Sequence, residues 1–337
     1  MSPWWLLLAV PAGALALGFV YQQWGVARDR RRFPAPGRVA DGLHIHVRGT
    51  SGPWVVLEAG IAASSASWRP VADLLAGGFR VLAYDRAGFG WSEARQAART
   101  IPHLVEDLRE ALDAAGVREP AVFVGHSFGG LLVRHFAARH PERVRALVLA
   151  DPLMPEEWSE AGPEQMHRLG RGVMLARRGA ALARCGVVRL ALDLLLSGNT
   201  GVPKLLARAS SSPRGEAFTS RLVGEVRKLP PEIWPVIGAH WRLPRSFRTL
   251  AEYLERLPAN CALPVDNHPV QDKPVAVISA ASAAPEARRG HAALAAAFSR
   301  GRLVEAEGSG HWVQLDRPEL IARLVREVTI VKDPPKE

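Results

Sequence analysis

Ala121-Val122-Phe123-Val124-Gly125-His126-Ser127-Phe128-Gly129-Gly130-Leu131 opens as an apolar run of β type, breaks at a Gly-His-Ser-Phe-Gly pentapeptide, and passes directly into residues that favour helix. A serine on so sharp a strand-to-helix turn has its hydroxyl pushed out of the sheet, and glycines two places before and two places after leave room for the crowded backbone. The pentapeptide alone is a weak signal, shared by any loop serine between glycines; the strand before it and the helix after it give it meaning. Ser127 is therefore the candidate nucleophile.

Outward from this turn, β-type and helical patterns alternate. Strands are expected at 43–47, 54–58, 80–84, 121–124 and 145–150, with helices at 101–115 and 128–139; after a long gap, strands follow at 274–279 and 302–307 and helices near 285–298 and 318–328. Short apolar strands separated by helices of this length are crossover units, which predicts an α/β fold with a mostly parallel central sheet flanked by helices. The chain of 337 residues, 48% hydrophobic, is long enough for one large domain with an insertion. Between 152 and 272 the alternation stops and the sequence becomes helix-rich, so this stretch reads as a helical cap or lid, with the α/β core at 41–151 and 273–331 and a short tail at 332–337.

The formal net charge of +10 comes mostly from arginine, but no basic stripe with interleaved aromatics and no nucleic-acid-binding module is present, so no nucleic-acid partner is expected. Two cysteines, Cys185 and Cys261, have neither metal-ligand spacing nor a disulfide framework. At the amino end, Met1 to Ala27 carries no charged side chain, and Trp4 to Trp24 as a helix would be about 30 Å long, the thickness of a bilayer core. Aromatic residues at both ends and Arg28, Arg30, Arg31 and Arg32 just beyond lead to an expected transmembrane anchor over 1–27, a basic, Pro-rich linker over 28–40, and a single-pass membrane protein with its catalytic domain on the cytoplasmic side. The excess of basic residues within 165–230 could also rest on anionic lipid.

Three segments together resemble one family: the elbow; Asp85-Arg86-Ala87-Gly88-Phe89-Gly90-Trp91-Ser92 after a strand; and Gly308-Ser309-Gly310-His311-Trp312 near the end. The chain is similar to the α/β-hydrolase superfamily over about 40–330, cap excepted, and looks most like membrane-anchored serine-hydrolase (esterase/lipase-like) members that carry Leu-Glu-Ala-Gly and Tyr-Asp-Arg-Ala-Gly after successive core strands. In that resemblance His311, which follows the last strand and comes after the serine in the chain, is the general base and acid for Ser127. The family usually places the orienting acid a few residues after the strand at 274–279, but this chain has Ser282, Ala283 and Ala284 there. The candidates are Asp151, at the strand end where some relatives, including certain haloalkane dehalogenases, carry the acid, and Glu286, which also suits the first turn of a helix. The oxyanion donors are expected to be the backbone N–H of Phe128 and that of Ile61, with Ala62 as the alternative.

The function these residues imply is cleavage of a carboxylic ester or related acyl substrate, a small molecule that could be lipid-like, through an acyl-enzyme intermediate and without metal or organic cofactor. A serine at the elbow argues against epoxide-hydrolase and dehalogenase chemistry, which uses an aspartate there. A thioesterase or acyltransferase could use the same groups. A catalytically idle hydrolase fold acting as a membrane-bound binding protein is the reading from outside enzymology, kept open by the missing acid after residue 279.

Overall fold

The computed structural model describes residues 5–196 and 228–330. Residues 197–227 of the expected cap, which hold part of its basic segment, the tail at 332–337 and Trp4 lie outside the described residues. Two compact units divide the chain: one of residues 1–34 and 170–251, the other of residues 35–169 and 252–337.

The larger unit holds the sheet. Its eight strands are β1 (Arg38–Ala40), β2 (Leu43–Arg48), β3 (Trp54–Glu58), β4 (Arg80–Tyr84), β5 (Ala121–His126), β6 (Val144–Ala150), β7 (Val275–Ala280) and β8 (Gly301–Ala306), in the order β1-β2-β4-β3-β5-β6-β7-β8. Only the β1–β2 and β2–β4 pairs are antiparallel. The described helices, in chain order, are α1 (Trp5–Arg32), α2 (Arg69–Leu75), α3 (Ile101–Ala115), α4 (Phe128–Arg139), α5 (Glu156–Ser159), α6 (Pro163–Arg184), α7 (Val187–Leu196), α8 (Trp234–Trp241), α9 (Pro244–Cys261), α10 (Pro285–Ala296), α11 (Val313–Asp316) and α12 (Pro318–Ile330).

Burial on both faces explains why the central strands read as apolar runs and not as alternating ones. In β5 every residue is buried. Val122 and Val124 join a core with Val55, Leu57 and Val148 of neighbouring strands and with Val71 and Leu75 of α2 and Ile321 and Val325 of α12. Phe123, pointing to the opposite face as strand alternation requires, meets Phe136 of α4 with ring centroids 5.0 Å apart. The sheet is thus sandwiched, and the turn after β5 emerges at the carboxyl edge of its middle. In such open sheets that edge is where ligands bind.

The expected membrane span is not supported. Helix α1 forms over 28 residues, but no helix among the described residues is long and apolar enough to cross a membrane. Pro11, three glycines and the pair Gln22-Gln23 dilute its leucines. Its second half is also a partner within the helical unit: Gln22 and Asp29 are buried, Arg189 of α7 bonds to Gln22 Oε1 at 2.9 Å and to Asp29 Oδ2 at 2.7 Å, and Tyr21 donates to Asp193 at 2.7 Å. The arginines at 28–32, expected in a linker, are helical; arginine is a good helix former and its charge suits a helix carboxyl end. In the same unit Trp241 packs edge-on against Phe247 with centroids 5.5 Å apart, so these rings form interior contacts there.

Candidate active site

Ser127 sits at φ 54°, ψ −123°, outside the regions that side chains favour, between the last residue of β5 and the first of α4. Such strain persists only where the surroundings hold it. Here the Ser127 N–H donates to Ala150 O at 3.1 Å, and its carbonyl accepts from Gly130 N at 2.9 Å and from Leu153 N at 3.0 Å. Two glycines let the loop after β3 close on this turn. A Cβ on Gly129 would stand 2.5 Å from Glu58 O, and one on Gly60 would stand 3.0 Å from His126 Nδ1 and 3.4 Å from Ser127 Cβ.

One strand over, Asp151 follows β6 directly and is also strained, at φ 43°. Its N–H donates to Ile278 O at 2.8 Å, and its Oδ1 accepts from Ala280 N at 2.9 Å, so the end of β7 holds the carboxylate by main-chain groups. Asp151 Oδ2 lies 2.6 Å from His311 Nδ1. Burial pushes the Asp151 carboxyl up, but the His311 hydrogen bond and charge and the Ala280 N–H outweigh it and leave the group below its ordinary range, hence ionised at neutral pH. With Nδ1–H donating to a carboxylate, His311 Nε2 is left with a free lone pair, an inferred tautomer. His311 lies in the turn between β8 and α11, which is shaped by Gly308 at φ 71° and by Gly310 N donating to Asp316 Oδ2 at 2.8 Å. The described contacts include no hydrogen bond between Ser127 Oγ and the His311 ring; such bonds are commonly long before substrate binds.

Glu286 stands elsewhere. It lies in the first turn of α10, exposed, with its Oε1 3.1 Å from Arg289 Nη2. Phe128 opens α4, where the first amides have no intrahelical acceptor, and Ile61 lies in the turn after β3. Among the described residues no acceptor in the chain takes either N–H.

Two further histidines, His126 and His291, support this cluster, and neither stands out in the sequence. The His126 ring lies with its centroid 4.7 Å from that of His311 and its Nε2 2.8 Å from His311 O, while Gln314 Nε2 approaches Nδ1 at 3.3 Å. Alternation carries it away from Ser127, not away from the segment that crosses the other side of the strand. His291 of α10 is buried behind Asp151, with Nδ1 3.0 Å from Ser279 Oγ and Nε2 2.9 Å from Pro152 O. No local pattern announces either role, because both partners come from distant chain.

Burial, and then the nearby His311, push the His126 imidazole down to about 3. Its folded value therefore lies below the unfolded one, so between about pH 6.5 and 3 the unfolded chain binds more protons and stability falls as pH falls, by about 1.4 kcal/mol per unit. His135, pushed down to about 4 by burial, adds in the same direction. Urea denaturation of wild type and His126→Gln at pH values near 6.5 and 4.5 separates the two: the variant is expected to lose less stability than wild type across this interval, and equal losses would reject the assignment.

Comparisons with known proteins bear on the fold. Residues 53–185 match the family model described as alpha/beta hydrolase fold. Protein YqjL of Bacillus subtilis is 36% identical over 124 residues, 36% of this chain and 49% of that protein. Bifunctional epoxide hydrolase 2 of Rattus norvegicus is 39% identical over 137 residues, 39% of this chain and 24% of that protein. The chain thus spans half or less of the curated relatives' length in these matches. Among solved structures, the enol-lactonase from Burkholderia xenovorans superposes with a TM-score of 0.55 at 24% identity, covering 86% of this chain and 96% of that one. Strand order, elbow and these matches show that the chain has the α/β-hydrolase fold.

Proposed function

We propose that the protein is a serine hydrolase that cleaves a carboxylic ester or related acyl substrate through an acyl-enzyme intermediate, with Ser127 as nucleophile, His311 as general base and acid, and Asp151 orienting the histidine. The observation that carries the reading is the 2.6 Å contact between His311 Nδ1 and Asp151 Oδ2, beside a serine held at positive φ on the elbow. A serine hydroxyl is too weak a nucleophile at neutral pH to act alone. His311 Nε2 takes the Oγ proton as Oγ attacks the acyl carbon; the carbonyl oxygen gains negative charge and meets the N–H groups of Phe128 and Ile61. Collapse of this adduct breaks the acyl bond and the histidine returns the proton to the leaving oxygen. Water, deprotonated by the same nitrogen, then releases the acid and Ser127. Ionised Asp151 stabilises the imidazolium formed in each half-reaction.

A fluorophosphonate probe tests the reading, because it phosphonylates serines that are activated in this way. The expected result is covalent labelling of the native protein, mapped by mass spectrometry to the peptide holding Ser127 and lost on denaturation. Native protein that takes up no label would reject the proposal.

A further inference from the structure

Behind the Gly60–Ile61 loop lies a buried polar cluster that the reaction does not use directly. Arg86, 3% exposed, donates from Nη2 to Gly60 O, and its Nη1 is 3.5 Å from Oε1 of Glu58, the last residue of β3. Tyr84 donates to the other oxygen of Glu58, and the Arg86 guanidinium lies 5.4 Å from the ring centroid of Phe128 and 5.0 Å from that of Tyr253. Burial pulls the Arg86 pKa down, but Tyr253 and Glu58 more than offset it and the group stays charged. Arg86 therefore touches both elements expected to supply oxyanion donors: the carbonyl of one and the ring of the other.

Peptide geometry makes the first contact directional. The Gly60–Ile61 bond is trans, as are all peptide bonds among the described residues, so the Gly60 C=O and the Ile61 N–H point in opposite directions. Pinning the carbonyl toward the buried guanidinium turns the Ile61 N–H the other way. The turn needs such a hold: Gly60 O also accepts from Ala63 N at 3.3 Å, and Ala62 is at φ 65°, a left-handed conformation that alanine rarely adopts. Left to itself, this peptide could flip and withdraw the donor.

We propose that Arg86 is a positioning residue of the oxyanion site: its hydrogen bond to Gly60 O fixes the strained Gly60–Ala63 turn so that the Ile61 N–H faces the developing oxyanion. This rests on the serine-hydrolase reading above. The donor's effect is confined to the tetrahedral adduct, so losing its aim lowers kcat and leaves ground-state binding alone. Deleting an oxyanion donor costs about 10²- to 10³-fold, and misaiming one costs less, on the order of 30-fold.

The test uses the full chain and the double variant Glu58→Gln/Arg86→Met, which removes the guanidinium without stranding a buried carboxylate. Turnover of a p-nitrophenyl ester is expected to fall on the order of 30-fold in kcat with KM within about twofold, and affinity for a trifluoromethyl ketone, which forms the tetrahedral adduct with the serine, is expected to fall by the same factor. Arg86→Lys, keeping a cation able to reach one acceptor, is expected to fall between wild type and the double variant; it also serves as the test should the double variant not fold. Unchanged kcat in a folded variant, or a fall in kcat with ketone affinity unchanged, overturns the role of Arg86 alone. Wild-type protein inert toward ester, ketone and fluorophosphonate alike overturns the serine-hydrolase reading and this role with it.

Discussion

Asp151→Asn is expected to lower kcat toward an activated ester by about 10³- to 10⁴-fold while the protein stays folded and KM changes little. The reason lies in what already occupies the carboxylate. Ala280 N donates to Oδ1, so an amide NH2 cannot sit there without placing donor against donor. The asparagine nitrogen is thereby forced toward His311, where it donates to Nδ1 and moves the ring proton to Nε2, the atom that must accept from Ser127. The imidazolium also loses its counter-charge. Folding is spared because asparagine tolerates the positive φ of this position better than most residues. Glu286→Ala is the matched control: it changes an exposed ion pair on α10 and is expected to leave kcat within about twofold. A loss under tenfold for Asp151→Asn, or an equal loss for Glu286→Ala, would remove Asp151 from its proposed role.

The largest loss of stability is expected for Asp85→Ala, on the order of 3–5 kcal/mol by urea denaturation. Asp85 follows β4 and is fully buried. Its Oδ1 accepts from Ser65 N at 2.6 Å, and its Oδ2 from Trp91 N at 3.0 Å and His44 Nδ1 at 2.9 Å. Burial draws the His44 pKa down, but the Asp85 hydrogen bond and charge raise it on balance, so the histidine holds its proton more firmly than a free imidazole. Truncation strands two main-chain donors and a histidine, each losing a charge-assisted bond with no water to replace it. The loops after β3 and β4 are joined through this side chain as well as through Arg86, so the 59–65 segment is expected to loosen too. A penalty below about 1 kcal/mol would show that the network is dispensable.

The elbow, most core strands and the helices at 101–115 and 128–139 were legible because their signals are local: apolar runs for a doubly covered sheet, glycines around a crowded turn, and the change from one periodicity to the other. Strand β1 was not, being three residues of mostly exposed edge. Asp151 and Glu286 stood as alternatives because the position of the orienting acid depends on which strand end faces the turn before α11, a distance across the sheet and not a spacing along the chain. His126 and His291 each have one sequence neighbourhood and a different spatial one. Helix α1 shows the same limit from the opposite side. Its leucines are local and suggest lipid, whereas Arg189, the partner of its Asp29, is 160 residues away.

That pairing constrains how this protein can vary. Arg189 is fully buried with its Nη1 on Asp29, and Arg242, also buried, has Nη1 3.6 Å from the same carboxylate oxygen and a second ion pair with Asp193. Three stretches of chain far apart in sequence therefore share a single charge balance. A substitution that removes Asp29 takes from the buried Arg189 the carboxylate it bonds to and leaves Arg242 with Asp193 alone, a destabilising change of about 3–5 kcal/mol. Descendants of this sequence can trade Asp29, Arg189 and Arg242 for apolar residues only by changing them together, and the amino-terminal helix is inherited tied to its unit through the buried Gln22 and Asp29.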